Sequence, residues 1–278
     1  MKIVYSLLFL AGCLAALFAT GCDSTNDNAY VEKLILQGRM TVGHAPEIRI
    51  AHTLPIEAYY DSSRVGVSGA SVTLTAGSTV FHLAENANDP RGAGYYRLAA
   101  GDTHTVTPGL AYSIHVESNG HVLDAETRAA GFFHITEQNL DTIMIGVEEL
   151  RLRWTHDSLA RGVWMIMENL NPHRADDSTL LDNNNNGDDK MIGIYTQYWN
   201  TPPTADTLRV PWVLFNRSGL HRVRLLTCDN ALWFYSQTYQ PLQTDVVPQT
   251  NVRGGLGVFS AGDEDTTYFY MRKNPAID

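Results

Sequence analysis

The chain has 278 residues, with 30 Asp plus Glu against 20 Lys plus Arg and a formal charge of −10. That balance excludes a nucleic-acid binder that works by neutralising phosphates, and it lacks the basic stripe that would hold a protein to anionic lipid. With 44% hydrophobic residues and three cysteines, a chain of this length can bury a core without disulfides.

The chain opens on one charge, Lys2, followed by an apolar run over 3–19 and the small residues Ala19, Thr20 and Gly21 before Cys22. This is the layout of an export signal. Small residues leading into a cysteine suit a lipoprotein peptidase, so Cys22 is expected to become the acylated first residue of the mature chain. Leu10-Ala11-Gly12-Cys13 is, taken alone, the better lipobox, but cleavage there leaves the apolar stub 14–18 on the mature protein. Cleavage at Cys22 instead exposes the polar tether Asp23-Ser24-Thr25-Asn26-Asp27-Asn28 at once. The competing reading is an uncleaved membrane helix, at the short end of the roughly 17–25 residues that span a bilayer. Small residues before a cysteine have no role in such an anchor.

Beyond the tether, Leu34, Leu36, Met40 and Val42 alternate with polar residues, the period of a half-buried strand, and Ile48, Ile50, Leu54 and Ile56 repeat it. Short strands follow at 72–74, 80–83, 95–98 and 112–116, divided by Gly, Asn, Asp and Pro clusters as in a β-sandwich. Near residue 145 the pattern restarts, with Leu150, Leu152 and Trp154, then strands over 162–168, 191–198, 207–215 and 219–227. Asp229 is placed to cap a short helix over 230–240, with Leu232, Tyr235 and Tyr239 on one face. Leu256, Val258 and Phe259, then 266–271, are expected to close this second domain. The expected fold is all-β: two consecutive Ig-like β-sandwich domains after a lipoprotein signal peptide, with a short helix in the second domain. Its divisions are signal peptide 1–21, lipidated tether 22–30, first sandwich 31–145 and second β-rich domain 146–278.

Val67-Ser-Gly-Ala-Ser-Val-Thr-Leu74, Gly94-Tyr-Tyr-Arg-Leu98 and Pro108-Gly-Leu-Ala-Tyr112-Ser-Ile-His-Val116 are similar to Ig-like modules of the carboxypeptidase-regulatory type. Asn251-Val-Arg-Gly-Gly-Leu-Gly-Val-Phe259, after the aromatic segment 233–239, resembles the closing signature of the lipoprotein family called domain of unknown function 4249. The resemblance covers 30–271, mostly as strand pattern, and its specific part is the Gly-Gly-Leu-Gly-Val-Phe run. It implies a periplasmic or cell-surface lipoprotein of the outer membrane, encoded beside a TonB-dependent receptor, and it implies no catalytic residues. The Asn-rich loop at 183–186 departs from the family. Independently of any family, Gly254, Gly255 and Gly257 suit a bend where backbone approaches backbone.

The sharpest local chemistry is Asp182-Asn-Asn-Asn-Asn-Gly-Asp-Asp189. Asp182, Asn184, Asn186 and Gly187 fall on alternate ligand positions and the turn glycine of a calcium loop, with Asp188 a further oxygen donor. Gly193 stands where the bidentate Glu belongs, so the expectation is no cofactor beyond weakly held calcium, set against a solvated loop. The ten histidines show no zinc-site spacing, and no GxSxG, phosphate-cradling glycine loop or CxxC pair occurs. His82 and His115 read as interior or cross-strand residues, and Cys228, beside Val223, Leu225 and Leu226, reads as a buried filler rather than a nucleophile. The carboxylate clusters Asp176-Asp177 and Asp263-Glu264-Asp265 have the residue types to flank a glycosidic bond, against the commoner reading as surface acids. Trp199, Trp212 and Trp233, with Phe234, Tyr235 and Tyr239, form either core or an exposed platform for a glycan.

Together these features point to a non-enzymatic binding or interaction module. Its expected partners are the bilayer, through acylated Cys22, and an outer-membrane TonB-dependent receptor. Glycan capture on the tryptophans is the alternative, and a hydrolase without a visible motif comes third.

Overall fold

The structure is a computed structural model that describes residues 30–278 apart from 56, 60, 62–63, 156, 171–195, 202–204, 211–217, 239–246, 273 and 275–278; for 196–201 it describes the backbone alone. Met1–Val31 and Glu32–Asp278 are separate compact units. In the first, Tyr30 and Val31 are described and both are exposed.

In the second unit, six strands fall on the expected segments, the second ending at His52 rather than running on to Ile56, and a seventh, β7, was not expected: β1 Leu34–Thr41, β2 Glu47–His52, β3 Ser71–Ala76, β4 Thr79–Glu85, β5 Tyr95–Leu98, β6 Ala111–Ser118 and β7 His121–Arg128. Alternate residues of β1, Leu34, Leu36 and Met40, point inward beside Ile48 and Ile50 of β2, Leu74 of β3 and Ile114 of β6. Each such side chain contributes about 1.5–3 kcal/mol when fully buried. The remaining strands are β8 Ile135–Gln138, β9 Thr142–Met144, β10 Leu150–Trp154, β11 Gly162–Asn169, β12 Thr196–Thr201, β13 Thr207–Val210, β14 Gly219–Cys228, β15 Leu256–Gly262 and β16 Glu264–Arg272. One helix, α1 Asn230–Thr238, follows β14.

The chain is mostly β, with sandwich-like sheets. One eight-stranded sheet runs β15-β1-β2-β5-β4-β3-β6-β7, and a backbone bridge from Asp124 to Arg253 brings its two edges together around a single apolar core. A three-stranded sheet, β13-β10-β8, and a five-stranded sheet, β12-β11-β14-β16-β9, enclose a second core that includes Leu150, Leu152, Met165, Leu225 and Phe269. The apolar run of β11 is buried on both faces. Val163, Met165 and Met167 enter the second core, while Trp164 and Ile166 pack with Leu226, Cys228 and Leu232 beneath α1.

Two pairings correct the expected boundary at 145/146. Leu256, Val258 and Phe259 do not close the second domain: β15 pairs in parallel with β1, Phe259 lies opposite Gly38, and its ring is fully buried in the first core. Conversely, β8 and β9, from the segment assigned to the first sandwich, pair with β10 and β16. Alternation discloses which face of a strand is buried, not which strand lies beside it, so neither exchange was visible in periodicity.

The glycine run does what backbone proximity requires. Gly254 and Gly257 have φ of +82° and +103°, and a Cβ on either would stand 2.1 Å from the Val122 carbonyl oxygen or 2.0 Å from that of Leu36. Gly257→Ala is therefore expected to cost about 3 kcal/mol or more in urea unfolding, since both conformation and space forbid it. Gly43→Ala, at φ +78° with open space around it, is expected to cost only the conformational penalty of about 1–2 kcal/mol.

Candidate functional site

The site lies where the two sets of sheets join. Asp229 lies between β14 and α1 and caps the helix: its Oδ1 accepts from the Leu232 amide at 2.8 Å, as expected from sequence. Its Oδ2 accepts from the Ala261 amide of β15 at 2.8 Å and from the Thr127 hydroxyl of β7. One buried carboxylate thus ties a helix start to two strands. Asn251 closes the same seam: its amide donates to the carbonyls of Glu126 and Phe259, each at 2.8 Å, and its oxygen accepts from the Phe259 amide.

Beside this seam opens a cleft of about 930 Å³, near the upper end of the usual range for ligand pockets. Its floor is the outer side of β3, β6 and β7, with Thr75, Ser113 and Glu126; its walls carry Arg161, Asn230 and Phe234. Arg128 also lines it, donating from Nη1 to the Gly109 carbonyl at 2.7 Å. Leu159 lines it as well, near Gly109. Phe234 is 48% exposed and Leu159 likewise. The side chains of Thr75, Ser113, Glu126, Asn230 and Arg161 have no hydrogen-bond or ion-pair partner among the described residues. A smaller groove of about 300 Å³ lies between β1, β2, β5 and α1, with Arg39, Tyr95, Trp164 and Tyr235 in its walls. At its rim Tyr95 lies beneath the Arg91 guanidinium, 3.9 Å from the ring centre. Arg91 and Arg97 both pair with Asp89 and Glu47, and the Arg91 hydrogen bonds hold the Asp89 carboxyl well below the usual carboxylate range.

Few of the residues singled out from sequence line the large cleft. Cys22, Asp176, Asp177 and the calcium candidates Asp182, Asn184, Asn186 and Asp188 lie outside the described residues, as does Trp212; Trp199 is described by its backbone in β12. Trp233 is partly buried against the cluster beneath α1 and does not line the large cleft, whereas Phe234 does. Asp263-Glu264-Asp265 is not a pair of acids flanking a substrate. Asp263 Oδ2 accepts from the Phe133 amide, Asp265 Oδ2 from the Ile135 amide, and Glu264 pairs with Arg39 at 2.7 Å. His82 and His115 are cross-strand and exposed rather than interior: His82 meets Thr73, and His115 lies between Asp124 at 2.8 Å and Glu117 at 3.1 Å. Among the described residues, no three His, Cys, Asp or Glu side chains converge as a metal ion requires, and no helix is long and apolar enough to cross a membrane.

The cleft residues of β7 were not marked in the sequence. Only Leu123 and Ala125 of that strand are buried, while Val122 is exposed, so its apolar residues sit on both faces. The one available signal was Asp124, Glu126 and Arg128 at alternate positions.

No family model matches the chain, and no curated protein does. Among solved structures, the FN1-FN3 domains of chicken CNTN1 align at 10% identity and TM-score 0.28, covering 86% of this chain and 66% of that one. A two fibronectin type-III domain segment from chicken tenascin aligns at 8% identity and TM-score 0.25, covering 86% and 99%. Escherichia coli alpha-2-macroglobulin activated by porcine elastase aligns at 12% identity and TM-score 0.21, covering 87% and 23%. Likenesses of this size say nothing of a ligand, and the architecture rests on the strand pairing itself.

The strongly perturbed buried groups are engaged in structure. Burial pushes the Cys228 thiol up and out of the reactive range. Burial also raises the Asp229 carboxyl, whose oxygens are already taken by three donors. His221, buried and stacked on Phe269 with ring centres 5.0 Å apart, donates from Nδ1 to the Gly219 carbonyl and does not line the cleft. Burial lowers its pKa from 6.5 to about 4. Because the folded value lies below the unfolded one, its contribution is fully present above pH 6.5 and is lost as pH falls towards 4. Unfolding free energy is expected to fall by about 3 kcal/mol across that window, and His221→Phe, measured by urea denaturation at each pH, is expected to flatten the slope.

Proposed function

We propose that the chain is a non-enzymatic binding module, held to a bacterial outer membrane by lipid on Cys22 and accessory to a TonB-dependent uptake complex. The observation that carries the binding reading is the cleft of about 930 Å³ at the seam, with polar and charged side chains left without partners among the described residues. Among the described residues, the cleft's carboxylates do not form a glycosidase-type pair. Glu126 is exposed and the second carboxylate, Asp229, has its two oxygens engaged by Leu232, Ala261 and Thr127. A retaining or inverting carboxylate pair requires both groups to be free to face a substrate.

The anchor and the receptor rest on the sequence: the small residues before Cys22, the polar tether after it, and the closing Gly-Gly-Leu-Gly-Val-Phe run. Several acyl chains give stable attachment, at about 0.8 kcal/mol for each buried methylene. The test is palmitate labelling, fractionation and cross-linked recovery of the native protein in mild detergent. Cys22→Ser is expected to abolish labelling and leave the protein unprocessed or free of membranes, while the wild type recovers an outer-membrane receptor. Labelling lost in Cys13→Ser and kept in Cys22→Ser would move the lipid site, and recovery of the wild type only as a free monomer would overturn the accessory role.

A further inference from the structure

The seven arginines that pair with carboxylates, Arg39, Arg64, Arg91, Arg97, Arg153, Arg222 and Arg224, account for the described Arg ion pairs. Arg128 and Arg161 are not among them, and both line the large cleft. In a chain with a net charge of −10, two guanidiniums without carboxylate partners stand on the walls of one cavity, which Glu126 and the hydrogen-bonded Asp229 also line. Arg128 is held there by its hydrogen bond to the Gly109 carbonyl, and Arg161 enters the same cavity beside Leu159 and Ala160. A guanidinium presents a planar fork that matches a carboxylate in two parallel hydrogen bonds.

The rest of the cleft narrows the ligand. Glu126 would repel a bare polyanion, but accepts hydrogen bonds from hydroxyl groups. The hydroxyls of Thr75 and Ser113 and the amide of Asn230, without partners among the described residues, offer donors and acceptors to the same kind of ligand. Phe234, 48% exposed, presents an aromatic surface to a flat or C–H-rich face. A molecule carrying a carboxylate, several hydroxyls and an apolar ring face satisfies all four features. We infer that the cleft between β7 and α1 binds an acidic oligosaccharide, with a uronate carboxylate on Arg128 and Arg161 and a sugar ring against Phe234. An acidic peptide meets the arginines but leaves the hydroxyl and amide side chains and Glu126 unmatched. This inference rests on the binding reading above and names the ligand class of that site.

The experiment is calorimetric titration of the full-length protein in detergent with oligogalacturonate, oligoglucuronate and alginate trisaccharides, each beside its carboxyl-reduced neutral counterpart. At least one acidic trisaccharide is expected to bind at micromolar to millimolar Kd and its neutral counterpart at least tenfold more weakly. Arg128→Ala, Arg161→Ala and Phe234→Ala, all at exposed side chains, are each expected to weaken binding by about tenfold with unchanged thermal unfolding. Glu126→Ala should leave carboxylate preference in place while weakening the total. Equal binding of acidic and neutral sugars, no binding of any acidic trisaccharide at millimolar concentration, or indifference to all three substitutions would overturn it. In each of those cases, recovery of a receptor with the acylated protein would still stand for the binding module itself.

Discussion

A single extended segment serves two sheets. β15 runs beside β1 in the eight-stranded sheet, and one residue later β16 runs beside β14 in the five-stranded sheet. The change of partner falls on Asp263, and the residues around it are hydrogen-bonded on every side. The Asp263 amide donates to the Thr227 hydroxyl at 2.7 Å, and its carbonyl accepts from the Thr227 amide and from Arg39. Arg39 in turn pairs with Glu264, and burial lowers the guanidinium pKa against that attraction. Both side chains are half-buried, so removing either leaves the other charge partly desolvated without its partner. The strand exchange is thus fixed at its point of crossing.

The cleft is a consequence of that crossing. With β15 committed to β1, the two edges of the eight-stranded sheet, β7 and β15, come together without a continuous ladder. Arg253 bridges Asp124 through backbone, and further along Asn251 and Asp229 substitute side-chain oxygens and nitrogens for backbone partners. Asp229 does so while starting α1, which turns Phe234 and Asn230 towards the opening. Side chains suited to ligand therefore hang from elements whose positions are set by the seam, and rigid placement of this sort is what a binding site requires.

Much of this was legible in residue order and some could not be. The alternation in Leu34 to Val42, the cap at Asp229 and the close backbone approach at Gly254 and Gly257 each rest on local physics, and each is visible within a few residues. The helix face was legible in part: Leu232 is buried, but Ser236 rather than an aromatic shares its burial. What remained hidden depends on partners far away in the chain. Arg39 and Glu264 are separated by 225 residues, and no periodicity announces that β15 returns to β1. Asp263-Glu264-Asp265 read as a surface acid run because its partners are the backbone amides of Phe133 and Ile135. The tryptophans drew attention by type, whereas the cleft is built from Thr, Ser, Asn and Arg on elements whose convergence only the fold creates.

If the crossing at Asp263 couples the two cores, they should open together. Native-state hydrogen exchange compares amides of β1, such as Leu36 and Met40, with those of β14, such as Val223 and Leu225, at increasing urea concentration. The account predicts that both groups converge on one opening free energy with one denaturant dependence. Full protection of β1 persisting after β14 has exchanged would contradict it.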